Sequence, residues 1–557
     1  MALTCLPYLL VALRTPSGAM FPWVLFNTDD HAVYFSWMRQ GMDGRWLIRN
    51  LFTTDRQSGA HFHAYFQLLG AAAGLLRLDL ALAYHVARLL TGAGALVLVY
   101  RLAAWFTDDV FERRCALWVT ALSGGIGWLF WRDRVQTNEP VDVWQPEALT
   151  FPSLYTNGLF TVSLLLMLGV VLGLIRAERN GKLDGAVAAG LCGLVLGNVH
   201  SYDMIHLTVV WLCYLLLRGQ LDYRLPWPAL KQALIAAAIA SPSVLAMAWL
   251  YLSEPVFRSR ADTQTLTPGF DRYVLGYGLL LPLAGFAARE LALRSRSTVR
   301  ERRGDLLFPI TWAVVGLCVA YLPFAFQRKL VMGVHLPLGL LAGIAVARLT
   351  QLARRHLSPG MSAALLIAVL SPSSVLYLAR DIRLARDEGV TSTGVHPVYW
   401  NESQINLYRW IGEHTPRESA VLAFPFDAVF VPAFSGRAVY AGHWGETPRF
   451  SEKPGEIFGF YWGLGGSEGR REFLRRSRVR LVVDGPLDRQ YVELFAGARN
   501  PPGPQAPLAS EPFLREVHRV GDAILYEFVD ESAAAPTAPA SFPSAARSMV
   551  SPAARNG

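Results

Sequence analysis

Apolar runs long enough to cross a bilayer recur along this chain, and the short loops between many of them are rich in arginine. A helix needs about 20 apolar residues to span ~30 Å of hydrocarbon, and backbone polar groups there must be satisfied internally, so such a pattern folds as a bundle of membrane helices. Composition agrees. Of 557 residues, 52% are hydrophobic and 17% charged, more apolar surface than a soluble protein of this length can hide. Sixteen Trp and twenty Tyr suit the membrane–water interfaces. The net charge of +9 does not mark a nucleic-acid binder, because the basic residues are scattered over short loops between apolar segments. Membrane lipids, and no nucleic acid, are the expected surroundings.

Eleven spans are expected. A short first one occupies 1–13; the others lie near 81–106, 114–131, 156–176, 184–198, 203–218, 229–252, 271–291, 305–325, 329–349 and 361–379. The first run, MALTCLPYLLVAL, lacks a basic start and a small-residue cleavage site, so a removed signal peptide is not expected. Arg and Lys concentrate in loops 176–182, 218–224, 289–303 and 348–356, which assigns these to the cytoplasm. Counting back, the apolar run 61–76 does not cross and lies as a helix on the outer surface. The N-terminus is then cytoplasmic. Loops 14–80, 132–155, 199–203 and 253–270, the turn near Gln327 and everything after 380 face outward.

The expected fold class is an α-helical polytopic membrane protein of about eleven transmembrane helices over 1–380, with a small α/β extracytoplasmic domain over 381–530 and a disordered Ala/Pro/Ser-rich tail over 531–557. Within the second part, β-like runs at 419–425, 480–486 and 523–529 alternate with helical stretches such as 403–414. The five cysteines (Cys5, Cys115, Cys192, Cys213 and Cys318) fall in or beside apolar spans without metal-like spacing, which suits helix packing.

Each outer loop carries residues in need of a reason. The stretch FNTDDHAVYF, 26–35, sets Asp29 and Asp30 beside a histidine. Carboxylates beside a membrane are costly unless paired or functional. They serve as a general base for an incoming hydroxyl, as ligands of a divalent cation, or as a helix cap. His61 and His63 do not share a helix face, so contact with headgroups or substrate is favoured over zinc. Loop 132–155 holds Glu139, Asp142 and Glu147 with Trp144 and Tyr155, and Asn157 follows it. It either binds a sugar, through stacking and carboxylate–hydroxyl bonds, or is an interfacial loop anchored by its tryptophan. NVHSYDMIH, 198–206, gathers Asn198, His200, Asp203 and His206 as the lining of a wet cavity or as a structural polar network. Arg328 and Lys329 lie between two spans with almost no loop. They either bind a lipid phosphate, through a guanidinium fork and a point charge, or snorkel to ordinary headgroups.

The acidic pair Asp29-Asp30 in the first outer loop resembles that of the GT-C superfamily of integral-membrane glycosyltransferases, whose members include protein O-mannosyltransferases and bacterial aminoarabinose transferases. The run HFHAYFQLLGAAAGLLRLDLALAYHVARLLTGAGALVLVYRLAAWF, from His61, is similar to the family's "HPPLYY…ARLL…" stretch. Two departures stand out. Phe62 and His63 replace the family's proline pair, and the WWDYG of oligosaccharyltransferase catalytic subunits is absent. The resemblance implies a sugar donor on a polyprenyl phosphate or pyrophosphate, used on the outer face. The acceptor is a hydroxyl on a lipid, glycan or protein. Asp29 or Asp30 would take the acceptor proton, the sugar carbon would invert, and Arg328 with Lys329 would stabilise the leaving phosphate. No cofactor is needed, and a divalent metal is allowed but not required. The rival readings are a transporter or lipid flippase, for which no two related halves are visible, and a non-catalytic membrane scaffold. Arg-, Ala- and Gly-rich usage points to a GC-rich bacterium and its cytoplasmic membrane.

Overall fold

The computed structural model describes residues 1–59, 61–131, 137–261, 263–297, 300–352, 357–391, 396–499 and 507–530. Part of the acidic loop, 132–136, and the tail 531–557 lie outside the described residues.

Helices dominate up to Asp387. By length and composition, five segments can cross a membrane: Leu80–Ala103, Gly158–Asn180, Tyr202–Asp222, Trp227–Ser253 and Gln327–Gln351. Two bent pairs raise the number to seven if each is one span: Phe270–Tyr277 with Leu280–Ser295, bent by 80°, and Pro359–Leu370 with Pro372–Asp387, bent by 53°. The second bend follows from Pro372, which lacks an amide hydrogen and crowds the residue before it. The first falls at Gly278, whose φ of +46° with ψ of −121° suits glycine and whose Cβ would lie 2.9 Å from the Ile126 nitrogen. Three other expected spans fall on shorter helices, Ala2–Ala12, Leu183–Val199 and Leu306–Val319, whereas the expected 114–131 is helical only as far as Leu122, in Val110–Leu122, with a short 3-10 turn at Gly127–Phe130. Ala2–Ala12 would rise only about 16 Å, half the hydrocarbon thickness. The run 61–76 is the helix Ala64–Leu76.

Side-chain caps set several starts. Asp79 accepts the amides of Ala81 and Leu82, Asp109 those of Phe111 and Glu112, and Asn157 that of Leu159. Lipid offers no hydrophobic drive between helices, so close approach at small residues holds them together. His335–Leu352 lies against Val110–Leu122 so tightly that a Cβ on Gly339 would be 2.8 Å from the Thr120 Cα. The crossing that matters for function joins Thr28–Met42 to Ala64–Leu76. There Gly70 sits against the Met38 carbonyl, and the Gln67 amide donates to the Arg45 carbonyl at 2.7 Å. This crossing stacks His63 on Trp37 with ring centres 4.7 Å apart.

Beyond residue 396 the chain folds around a four-stranded sheet in the order Val421–Leu422, Leu481–Asp484, Ala523–Phe528, Leu514–Val520. The first pairing is parallel and the other two antiparallel. Three strands fall on the expected runs. Leu514–Val520 does not, because Arg515, Glu516, His518 and Arg519 mask its alternation; it is an edge strand, where charge is tolerated. A short antiparallel pair, Ala19–Met20 with Trp400–Asn401, ties this part to the first loop. Arg39 adds a bond to the Phe434 carbonyl at 2.9 Å.

Candidate active site

Asp29 and Asp30 lie in the first turn of Thr28–Met42. Asn27 occupies the cap position at φ +48° and makes no side-chain cap bond. The two acids therefore follow the cap and sit at the positive end of the helix dipole, which favours their ionised form. Asp30 lines a cavity of about 110 Å³. Its Oδ1 lies 3.4 Å from Nε2 of His443. Asp29 Oδ2 is 3.9 Å from the same nitrogen and accepts from Trp444 Nε1 at 2.6 Å. On its far side, His443 Nδ1 accepts the amides of Gly445 and Glu446 at 2.9 and 3.1 Å. A nitrogen that receives two donors carries no proton, so the imidazole proton sits on Nε2, facing both aspartates. Burial raises the Asp30 carboxyl, but the His443 contact and the Lys329 charge outweigh it and hold Asp30 below the usual carboxylate range. Asp30 is thus ionised at neutral pH, the state a general base needs.

Arg328 and Lys329 occupy the turn Gln327–Val331 and line the same cavity. The turn is held by its backbone. Arg328 N donates to Thr265 O at 3.1 Å, and His206 bonds the Leu330 carbonyl at 2.8 Å while its other ring nitrogen accepts from Trp312 at 3.0 Å. The Arg328 guanidinium is paired with Glu147 at 3.1 Å and faces the Trp144 ring at 5.4 Å. Lys329 lies over the Tyr202 ring at 4.8 Å. Glu147 and the Trp144 ring orient the Arg328 guanidinium, and the Tyr202 ring lies beside the Lys329 ammonium, so two positive charges border the cavity.

Of the other expected residues, Glu147, His61, His63 and His200 also line this cavity. His63 caps Ala64–Leu76 through Nδ1, and Asn198 clamps the same entry by bonding Phe62 O and Ala64 N at 2.8 and 2.6 Å. Asp203 stands behind His200, 2.9 Å from its Nδ1. Asn157 caps Gly158–Asn180 and reaches the hydroxyl of cavity-lining Tyr34 at 3.4 Å. Three expected substrate contacts lie elsewhere. Asp142 accepts the amides of Gly125 and Gly127 at 3.0 Å and the Ser373 hydroxyl at 2.5 Å; it is buried, which lifts its carboxyl to about 6. Tyr155 donates to Asp381 at 2.9 Å, and Glu139 is buried with its carbonyl accepting from Trp144. Asp142 and Tyr155 stitch the acidic loop to the bundle, whereas the Glu139–Trp144 bond stays within the loop. Among the described residues, no group of three or more His, Cys, Asp or Glu is placed to hold a metal ion.

Beside the cavity opens an apolar groove of about 940 Å³ between Tyr202–Asp222 and Trp227–Ser253, closed at one end by Phe324 and Phe326. Ser201, Tyr202, Met247 and Tyr251 line both spaces.

No family model matches the chain, and no curated protein matches it in sequence. Solved structures do. The oligosaccharyltransferase AglB of Archaeoglobus fulgidus, solved with an inhibitory peptide and a dolichol-phosphate, superposes with TM-score 0.50 at 13% identity, over 86% of this chain and 69% of that one. The mycobacterial arabinofuranosyltransferase AftD gives 0.50 at 13%, over 95% of this chain and 41% of that one. ArnT of Cupriavidus metallidurans gives 0.47 at 15%, over 96% and 98%. The chain shares the fold of AglB and AftD.

Among the residues not anticipated from sequence are His443 and Trp444, which contact Asp30 and Asp29, and Glu446, which lines the cavity. Their only signal is the stretch YAGHWGETPRF, 440–450, in which a histidine and a tryptophan stand between glycines.

Proposed function

We propose that the protein moves a sugar from a polyprenyl-phosphate donor to a hydroxyl acceptor on the outer face of a bacterial cytoplasmic membrane. The observation that carries this reading is a single cavity with Asp30 on one wall and Arg328 and Lys329 on another, opening beside an apolar groove. The presence of dolichol-phosphate in the AglB structure supports it. The prenyl chain lies in the groove, and its phosphate sits against Arg328 and Lys329. Asp30 takes the proton of the acceptor hydroxyl. The freed oxygen attacks the anomeric carbon opposite the phosphate, the carbon–oxygen bond to phosphate breaks with its electron pair leaving on the phosphate oxygen, and the sugar inverts. Asp29, bonded by Trp444, holds His443 in place. In this arrangement the short helices complete eleven spans, the N-terminus is cytoplasmic, and residues 381–530 form an outer domain over the cavity; the arginine-rich loops support that sidedness.

The test uses purified protein and a panel of labelled polyprenyl-phosphate sugars, with Asp30→Asn and Arg328→Ala beside the wild type. Turnover of one donor that collapses in both variants is expected. Turnover that survives both would refute the assigned site.

A further inference from the structure

A second concave surface lies on the other side of the loop that borders the cavity. The loop 48–61 is closed by the Ile48–His61 bridge, with Ile48 N donating to His61 O at 2.8 Å. On one side His61 lines the catalytic cavity, and Asn50 bonds the cavity residue Glu446 through its carbonyl at 2.7 Å. On the other side, Arg45, Arg49 and Arg56 meet Arg417 and Arg478 around a cleft of about 230 Å³. A second recess of about 380 Å³ continues it past Arg449 and Arg476, with Arg56 and Arg478 shared by both. The carboxylates lining the two are Asp55, Glu418 and Glu456, fewer than half the number of arginines.

These arginines are not held by ion pairs. Arg45, Arg49, Arg56, Arg417 and Arg478 form no salt bridge among the described residues, whereas Arg449 and Arg476 reach Glu452 and Glu456 at the far end. Burial and the charges of Arg417 and Arg49 depress the basicity of Arg45, so the cluster repels itself. Like charges gathered in a concavity focus a positive potential that an anion relieves. The cleft also presents no open strand edge. The outer side of Val421–Leu422 is taken by 438–440, with Val421 N donating to Ala438 O at 2.8 Å and Tyr440 N to Val421 O at 3.2 Å. An acidic peptide therefore finds no ladder to extend, while guanidinium forks match carboxylate or phosphate oxygens directly.

We infer that this arginine cleft holds a polyanionic glycan, carrying phosphate or carboxylate groups along its chain, as the acceptor whose hydroxyl reaches Asp30 around the 48–61 loop. The acceptor role rests on the transferase reading; the binding does not.

The experiment titrates the full-length protein in detergent, with no donor present, against oligogalacturonate, a phosphomannan oligosaccharide, a neutral maltooligosaccharide of matched length and polyglutamate. The expected result is binding of an anionic glycan about tenfold or more tighter than the neutral one, weakening as salt rises. The combined variant Arg49→Ala, Arg56→Ala, Arg417→Ala, Arg478→Ala should lose that preference; all four side chains are exposed, so the fold survives, as its thermal transition would verify. Whichever anionic glycan binds names the charged group. Equal binding of the neutral glycan, binding of neither anionic glycan, undiminished binding by the variant, or tighter binding of polyglutamate each overturns the inference. Donor turnover, measured separately, can fail without touching this result.

Discussion

Replacing His443 with phenylalanine removes the proton that faces Asp30 and keeps a ring of similar bulk. The lost contact is an N–H donor 3.4 Å from a carboxylate oxygen. Hydrogen bonds to charged groups contribute about 1.5–3 kcal/mol when short, near 2.7–2.9 Å, so a contact this long contributes less than that range. The direction follows from the charge state. His443 lowers the Asp30 pKa, its removal raises it, and Asp30 accepts a proton only when ionised. The acidic limb of kcat/KM therefore moves to higher pH, by less than the strength of a short charged hydrogen bond would give, with the loss confined to pH below the limb and little change at neutral pH. The loop adds a second effect, because Nδ1 also accepts the Gly445 and Glu446 amides. His443→Gln loses those two bonds as well, but returns an N–H donor near the Nε2 position. The difference between the two profiles isolates the donor from the loop. Donor turnover measured from about pH 4 to 8 in all three proteins is the assay. Equal limbs for the Phe and Gln variants, or no shift in the Phe variant, would refute the argument.

Asp30→Asn should lower kcat by about 10²- to 10⁴-fold, the usual contribution of a general base. Asp29→Asn, which loses only a share of the Trp444 bond, should cost less than about tenfold; single-turnover rates that rank the two in reverse would move the base to Asp29. The mechanism routes no step through a metal, so EDTA should leave turnover unchanged; loss restored by added Mg²⁺ or Mn²⁺ would place a cation on the acidic pair. In the C-terminal sheet region, burial lifts Asp427 to about 7, where it shares Gln404 with Asp488. Its folded pKa exceeds the unfolded one, so its stabilisation is whole below about pH 4 and is lost as pH rises towards about 7, by up to about 4 kcal/mol. Thermal unfolding should show a lower transition at alkaline pH, and Asp427→Asn should flatten that slope.

Much of the helical order was legible because hydropathy alone locates apolar runs, and the close fit of Leu80–Ala103 or Trp227–Ser253 to expectation reflects this. Charges beside a membrane need a reason, and Asp30, Arg328 and Lys329 stood out on that ground alone. The acidic loop was harder. Asp142 and Glu147 look alike in sequence, yet one bonds Gly125, Gly127 and Ser373 while the other pairs Arg328 in the cavity. Only tertiary partners separate them. His443 and Trp444 were invisible for a stronger reason: the Trp444–Asp29 bond joins residues 415 positions apart.

The cavity gathers residues from the first loop, the middle of the chain and the C-terminal part, and on the proposed reading its two approaches have a chemical use. The groove is apolar and meets the lipid helices, whereas the arginine cleft is charged and meets water. Under the proposed function, a prenyl donor and a polar acceptor would then use separate entrances. On that reading they would meet where Ser201, Tyr202, Met247 and Tyr251 line both spaces and Asp30 lines the cavity. The Asp30 side chain is still 39% exposed, so water reaches the base when no acceptor covers it. An acceptor that fills the approach both supplies the hydroxyl and dries the carboxylate, strengthening its pull on the proton. Transfer should therefore outrun donor hydrolysis by more than the difference in nucleophile concentration, and that excess measures how much of the catalysis the acceptor itself completes.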